Sequence, residues 1–101
     1  MKVSIETRRR IELLFPKEQQ KDVEMLLATR CGNNLPSLEL KTEIELERFQ
    51  FAALKVSAGD FDKLIKAVGL ANVDWRDLLV ISGFAEDANA HRSWLVSSQE
   101  M

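Results

Sequence analysis

The amino-acid sequence predicts an all-α fold: a single domain over residues 1–101, built as a compact bundle of five to six short helices. Three observations lead to this prediction, the first being that apolar residues recur at helical spacing along most of the chain. Capping residues and glycines also divide the chain into short segments joined by few residues, as in helical bundles. Finally, the length of 101 residues and the 46% hydrophobic content suit one globular domain with its own core.

The N-terminal segment, residues 3–15, is open to two interpretations. Ser4 could cap a helix over residues 5–14. Alternation of apolar residues also suits a strand or a hairpin, at positions Val3, Ile5, Ile11, Leu13 and Phe15. We favour the helix because the segment is rich in arginine, glutamate and leucine, which are good helix formers, and because an isolated hairpin would be marginal.

A second helix is predicted over residues 17–30, directly after a proline. Pro16 is well placed at a helix start, where a backbone N–H has no partner within the helix. Gly32 can take the left-handed conformation that ends a helix. Pro36 restricts the residue before it to extended geometry, so residues 33–37 are predicted to form a loop.

The third helix is predicted to begin at Thr42, with an earlier start near Ser37 left open, and to end near Ala58, before Gly59. Thr42 and Glu45 have the spacing of a capping box. Apolar residues occupy most of the helix circumference, which predicts a central helix packed by several neighbours. These residues are Ile44, Leu46, Phe49, Phe51, Ala52, Ala53, Leu54 and Val56.

Three further helices are predicted, each after an aspartate that can accept hydrogen bonds from the first turn. The helices cover residues 61–71, 75–82 and 88–96, and the aspartates are Asp60, Asp74 and Asp87. The first of these helices is predicted to bury Phe61, Leu64, Ile65 and Val68. Residues 1–4 and 97–101 are expected to be loose termini.

Charge and composition argue against several function classes. The chain carries 14 basic and 16 acidic residues, whereas nucleic-acid binders usually have a basic excess. One cysteine, Cys31, cannot form a disulfide within the chain. Apolar runs are too short to cross a membrane, and residues 1–14 do not read as a signal peptide. We therefore expect a cytoplasmic protein without membrane contact.

Residues capable of catalysis or metal binding are scarce. Cys31 and His91 are the one thiol–imidazole pair, and the sequence leaves open whether they meet. Zinc needs three or four ligands, which cysteine and histidine cannot supply here. The acidic positions Glu39, Glu43, Glu45 and Glu47 are interpreted as a solvated face. The sequence thus predicts no enzyme, no catalytic or cofactor-binding residue, no metal site and no cofactor.

Two groups of residues are candidates for binding a partner. Arg8, Arg9 and Arg10 form the densest basic cluster, although acidic residues are interleaved with it. Trp94 lies beside Arg92, and tryptophan and arginine are enriched where proteins bind one another. Packing in the core is the competing interpretation of Trp94.

Five stretches of the chain resemble a group of short, all-helical bacterial proteins. They are Leu-Phe-Pro at 14–16, Cys-Gly-Asn-Asn-Leu-Pro at 31–36, Ala-Leu-Lys-Val-Ser-Ala-Gly-Asp at 53–60, Asp-Trp-Arg-Asp-Leu-Leu at 74–79 and His-Arg-Ser-Trp-Leu at 91–95. The resemblance implies a bacterial, cytoplasmic protein and carries over no activity and no site residue.

The leading hypothesis is a small interaction or regulatory module that presents a helical surface to a protein partner or to a second copy of itself. The alternative is a nucleic-acid-associated protein that uses the arginines at 8–10. An enzyme centred on Cys31 and His91 is the third reading.

Overall fold

Four α-helices make up the described part of the chain. The computed structural model describes residues 3–31, 43–86, 91 and 94, and within the third helix it describes side chains from residue 46 onward. The helices are α1 (Ile5–Leu14), α2 (Lys17–Arg30), α3 (Glu43–Ser57) and α4 (Phe61–Ser82). Because the described residues contain no strand, the all-α prediction is confirmed there. The predicted count of five to six helices is wrong, since the structure has four in these ranges.

Helix α1 begins where the capping pattern predicted. The Ser4 Oγ accepts a hydrogen bond of 3.1 Å from the Thr7 N–H, so the helical interpretation of residues 3–15 is confirmed. Val3 packs against the core, and Ser4 is held by its cap, so the expected loose N-terminus is wrong at these two residues. Residues 1–2 and 97–101 lie outside the described residues.

Helix α2 follows after a turn at Pro16 and has the predicted bounds. Its inner side buries Val23 and Leu27. The Gln20 side chain donates a hydrogen bond of 3.0 Å to the Phe15 carbonyl, which ties the first turn of α2 to the end of α1. Gly32, predicted to end the helix, lies outside the described residues, as does the predicted loop at 33–37.

Helix α3 is the central helix, as predicted from its apolar circumference. It packs against α1 on one side and most extensively against α4 on another. Ser57 is its last residue, and the chain then turns through Ala58 and Gly59, which have φ values of 51° and 85°. Thr42, the predicted cap, lies outside the described residues. Six consecutive residues of α3 are buried: Phe49, Gln50, Phe51, Ala52, Ala53 and Leu54.

Helix α4 joins two segments that the sequence predicted as separate helices. The backbone is non-helical only at Asp74, with φ −153° and ψ 93°. The Asp74 side chain accepts a hydrogen bond of 3.0 Å from the Arg76 N–H, so it caps the second segment locally as predicted. A single non-helical residue makes a bend, not a loop, and this is why the predicted helix count is too high. Of the helix predicted at 88–96, only His91 and Trp94 are described.

The core lies between α3 and the inner sides of the other helices. Both α1 and α2 contribute to it, through Ile11 and Phe15 and through Val23 and Leu27. The radius of gyration of 12.2 Å fits a compact domain of this length. No helix in the described ranges is long and apolar enough to cross a membrane.

Candidate interaction surface

The arginines at 8–10 do not form a shared basic surface. Arg8 Nη2 lies 2.7 Å from Glu24 Oε2 on α2, and this hydrogen bond raises the pKa of Arg8 above its usual value. Arg9 Nη1 lies 3.2 Å from Glu6 Oε2 within α1. Both exposed guanidinium groups thus face a carboxylate, which reduces the positive potential that a phosphate backbone would meet.

Arg10 is an interior residue, with 1% of its surface exposed. Its Nε donates a hydrogen bond of 3.2 Å to the Trp94 carbonyl, and its Nη1 donates to the Glu6 backbone and side chain. The guanidinium carbon lies 4.5 Å from the centroid of the Phe51 ring, within cation–π range. The prediction of Arg10 as a partner-binding residue is therefore wrong, because it holds α1, α3 and the segment bearing Trp94 together.

A buried polar network joins α1 to α3 around Glu47. This residue is 5% exposed, so its assignment to a solvated acidic face is wrong. The Ser4 hydroxyl donates a hydrogen bond of 2.7 Å to Glu47 Oε2, and the Thr7 hydroxyl donates one of 3.1 Å to Gln50 Oε1. His91 Nε2 lies 3.8 Å from Glu47 Oε1. The acidic side chains of Glu39, Glu43 and Glu45 lie outside the described residues.

A sequence signal for this network does exist. Ser4 and Thr7 are three residues apart, and so are Glu47 and Gln50. Residues at this spacing share a helix face, so each helix presents two polar groups side by side. Complementary polar pairs on two otherwise apolar faces indicate a contact, but the sequence does not say which helix faces which.

Cys31 is placed for packing and not for catalysis. Its thiol is buried and donates a hydrogen bond of 3.6 Å to the Phe49 carbonyl. Burial raises the pKa of this thiol to about 12, so the nucleophilic thiolate is scarce at neutral pH. His91 packs elsewhere, against the rings of Phe51 and Phe84. The part of the chain that the structure describes holds no group of three or more His, Cys, Asp or Glu that could bind a metal ion.

Trp94 packs mainly against the core. Its ring is half-buried, and its centroid lies 6.1 Å from that of Phe51 and 6.3 Å from that of Phe84. Its carbonyl accepts the hydrogen bond from Arg10. The structure thus favours the core-packing interpretation of Trp94, while Arg92 lies outside the described residues.

A shallow groove of about 300 Å³ lies between α1 and α2. Ile11 contributes to its lining, but most of the other lining side chains are charged or amide-bearing. The Arg8–Glu24 ion pair joins two residues of that lining. Three basic and two acidic side chains line the groove, so their charges largely offset one another and the groove does not strongly favour a ligand of either charge.

The outer face of α4 exposes large apolar side chains that the monomer leaves uncovered. Ile65 is 48% exposed and Val73 is 82% exposed, and Gly69 lies midway between them in the sequence. Because residues four apart line up along a helix, these three form one ridge, the α4 ridge. The prediction that Ile65 is buried is wrong: α4 directs its neighbour Leu64 inward instead.

Beyond the bend at Asp74, the outer side of α4 remains apolar. Val80 and Ile81 are exposed there.

No protein-family model, curated protein or solved structure matches this chain. The case for a function therefore rests on the chemistry of its own surface.

Outside α4, the exposed large apolar residues in the described ranges are Ile5, Leu13 and Met25.

Those three residues do not make a comparable surface. Ile5 and Leu13 are eight positions apart on α1, with the ion-paired Arg9 midway between them. Met25 is alone on α2. Single exposed apolar residues are common on proteins, whereas a contiguous group marks a contact surface more often. The α4 ridge is therefore the best candidate for a functional site.

Proposed function

We propose that this protein is a small interaction module that presents the outer face of α4 to another protein chain. The observation that carries the proposal is the α4 ridge, where Ile65 and Val73 are exposed on either side of a glycine. Covering such a ridge removes apolar surface from water, which is the main favourable term in protein association. The proposed setting, the cytoplasm of a bacterium, is supported by the resemblance of the five stretches given above.

The rigidity of α4 also supports this function. The inner side of the helix is anchored in the core, through Leu64, Ala67, Val68 and Ala71. Asp60 caps its first turn, accepting a hydrogen bond of 3.1 Å from the Lys63 N–H. A ridge held in place before binding loses little conformational entropy when a partner covers it.

The nucleic-acid alternative gains no support from the geometry. It depended on Arg8, Arg9 and Arg10 acting as one basic patch. Two of these arginines face carboxylates, and Arg10 lies in the interior.

The proposal is tested by placing a photo-crosslinking amino acid at Val73 and, as a matched control, at Met25. Both side chains are exposed, but Met25 lies on α2, away from the ridge. Irradiation of living cells should give an adduct of defined mass from Val73, and mass spectrometry should identify the attached chain. A second substitution, Ile65→Asp, should suppress this adduct. If Val73 gives no more adduct than Met25, the proposal is wrong.

A further inference from the structure

We propose that Glu47 and His91 form a proton-dependent clasp: His91 carries a proton in the folded chain, and loss of that proton as the pH rises weakens the contact between His91 and α3. This regulatory device is independent of the α4 ridge. It is drawn from the burial of the two side chains, from the charge that each can carry and from the groups around them.

The carboxylate of Glu47 lies close to the imidazole in a site shielded from water. His91 Nε2 is 3.8 Å from Glu47 Oε1, and the two side chains are 0% and 6% exposed. At this distance a carboxylate favours the protonated form of an imidazole. The attraction is stronger than at the protein surface, because water and salt screen buried charges less. Distance and burial thus suit an ion pair.

Among the described residues, Glu47 has no other charged partner. Its Oε2 accepts a hydrogen bond from the hydroxyl of Ser4, which is neutral. A buried charge is costly unless it is paired with an opposite charge. Protonation of His91 supplies the positive charge that Glu47 lacks, and the pair is then neutral as a whole.

The cation of α1 that faces this site is Arg10. Its guanidinium carbon lies 4.5 Å from the centroid of the Phe51 ring, which the His91 ring also contacts. Arg10 forms an ion pair with Glu6 on the same helix. Its charge is therefore offset within α1 and opposes protonation of His91 only weakly.

Two cations of α3 approach from the side of Phe84, the other ring that His91 contacts. Arg48 donates hydrogen bonds to the Phe84 carbonyl, and Lys55 Nζ lies 4.8 Å from the centroid of the Phe84 ring. Lys55 is exposed and Arg48 is partly exposed, so solvent screens both charges. The described residue at the end of α4, Phe84, is uncharged. Glu47 is therefore the dominant charge at the imidazole.

The protonated state sets the direction of the pH dependence. Histidine ordinarily titrates near about pH 6.5, and a carboxylate partner moves the titration in the folded chain above that value. The stability that the pair contributes is fully present below about pH 6.5 and is lost as the pH rises through the titration of the folded chain. Since the chain has one histidine, a pH dependence near neutrality reports this side chain.

NMR titration of the imidazole is the first test. The midpoint in the unchanged chain should lie above about pH 6.5. Glu47→Gln keeps the size of the side chain and an oxygen that can accept from Ser4, and it should lower the midpoint by about one pH unit or more. Glu24→Gln is the matched control, because it removes a carboxylate that pairs with Arg8 between α1 and α2. This control should leave the midpoint unchanged.

Urea denaturation at two pH values is the second test. The equilibrium constant for unfolding of the unchanged chain should be about threefold larger, or more, at about pH 7.5 than at about pH 6. Both values lie below the range in which an unfolded cysteine ionises. His91→Gln removes the titrating group and should abolish the difference between the two pH values.

Either of two results would overturn the proposal. One is a midpoint at or below about pH 6.5 in the unchanged chain. This measurement needs no variant, so it decides the matter even if Glu47→Gln fails to fold. The other is a midpoint that stays where it was in Glu47→Gln, once circular dichroism has shown that this variant is folded.

Discussion

Arg10 and Glu47 are charged residues whose roles are set by burial. Charged side chains are almost never fully buried unless they are paired or hydrogen-bonded. The guanidinium of Arg10 meets the carbonyl of Trp94 and the carboxylate of Glu6. Glu47 accepts a hydrogen bond from the Ser4 hydroxyl and lies near the His91 ring. Both residues therefore join segments that are distant in the sequence, and neither is placed to meet a partner molecule.

Arg10→Ala should lower the free energy of unfolding by about 3 kcal/mol, because it removes buried hydrogen bonds and the packing against Phe51. Arg9→Ala is the matched control, since it removes an exposed ion pair and should change stability by less than about 0.5 kcal/mol. Urea denaturation followed by tryptophan fluorescence measures both. Equal effects of the two substitutions would contradict the assignment of Arg10 to the core.

The Cys31 thiol should resist alkylation in the folded protein. Its pKa is raised to about 12 by burial, so at pH 8 only about one thiol in ten thousand is the reactive thiolate. Mass spectrometry after iodoacetamide treatment should find the native chain unmodified and the urea-unfolded chain fully modified. Labelling of the native chain at the rate of the unfolded chain would show that Cys31 is accessible and would revive the enzyme hypothesis.

At the scale of the element, helix starts and ends are decided by a few neighbouring residues. Ser4 and Asp60 each accept a hydrogen bond from the backbone N–H three residues later, as their positions in the sequence predicted. Gly83 ends α4 in the left-handed conformation, with φ 86°. The caps at Ser4 and Asp60 are predictable from the sequence because donor and acceptor lie within one turn of each other. The sequence predicts two separate helices on either side of Asp74 because a capping aspartate occurs both at a helix start and at a bend within a helix.

Two glycine-to-alanine substitutions should have opposite effects. Gly59 has a φ of 85°, and a Cβ atom there would lie 2.8 Å from the Leu14 carbonyl oxygen, so Gly59→Ala should destabilise the fold by about 2 kcal/mol. Gly69 meets no such obstacle in the described part of the chain, and Gly69→Ala should stabilise the monomer by about 0.5–1 kcal/mol. Thermal denaturation at low protein concentration tests both. If both substitutions changed the melting temperature in the same direction, the proposed difference between Gly59 and Gly69 would be contradicted.

At the scale of the whole molecule, two residues that follow α4 in the sequence, His91 and Trp94, complete the core. His91 is buried, and its ring lies 5.1 Å from Phe51 and 6.1 Å from Phe84, measured between centroids. Trp94 packs against the same two rings. Arg48 supports this arrangement from α3, since its guanidinium donates hydrogen bonds of 2.8–3.1 Å to the Phe84 carbonyl. Residues from α1, α3 and the segment after α4 therefore depend on one another.

Truncation after Glu86 should lower the free energy of unfolding by several kcal/mol or prevent folding. It removes His91 and Trp94, exposes the rings of Phe51 and Phe84 and leaves Arg10 without the Trp94 carbonyl. Truncation after residue 96 retains these contacts and, with residues 97–101 predicted to be loose, should leave stability unchanged. Circular dichroism during heating compares the thermal stability of the two truncated chains. A stable domain ending at Glu86 would show that the C-terminal contacts are dispensable.

The sequence by itself determined the fold class, the bounds of α2 and the central place of α3, and it favoured a helix over a strand for residues 3–15. Each follows from short-range chemistry: helical spacing of apolar residues, capping hydrogen bonds, and the conformations that proline and glycine permit. Part of the buried set was also readable, since Leu64 and Val68 lie inward as predicted.

Only the tertiary structure decided which charged residues are buried and which apolar ones are exposed. Glu47 lies in the interior because the hydroxyl group of Ser4, 43 positions away in the sequence, donates a hydrogen bond to it. Ile65 is exposed because the side of α4 that packs against the core is the side that bears Leu64. A sequence pattern gives the apolar width of a helix, but the angle at which that helix meets its neighbours depends on the packing of the whole domain. The α4 ridge, on which the proposed function depends, is a product of that packing.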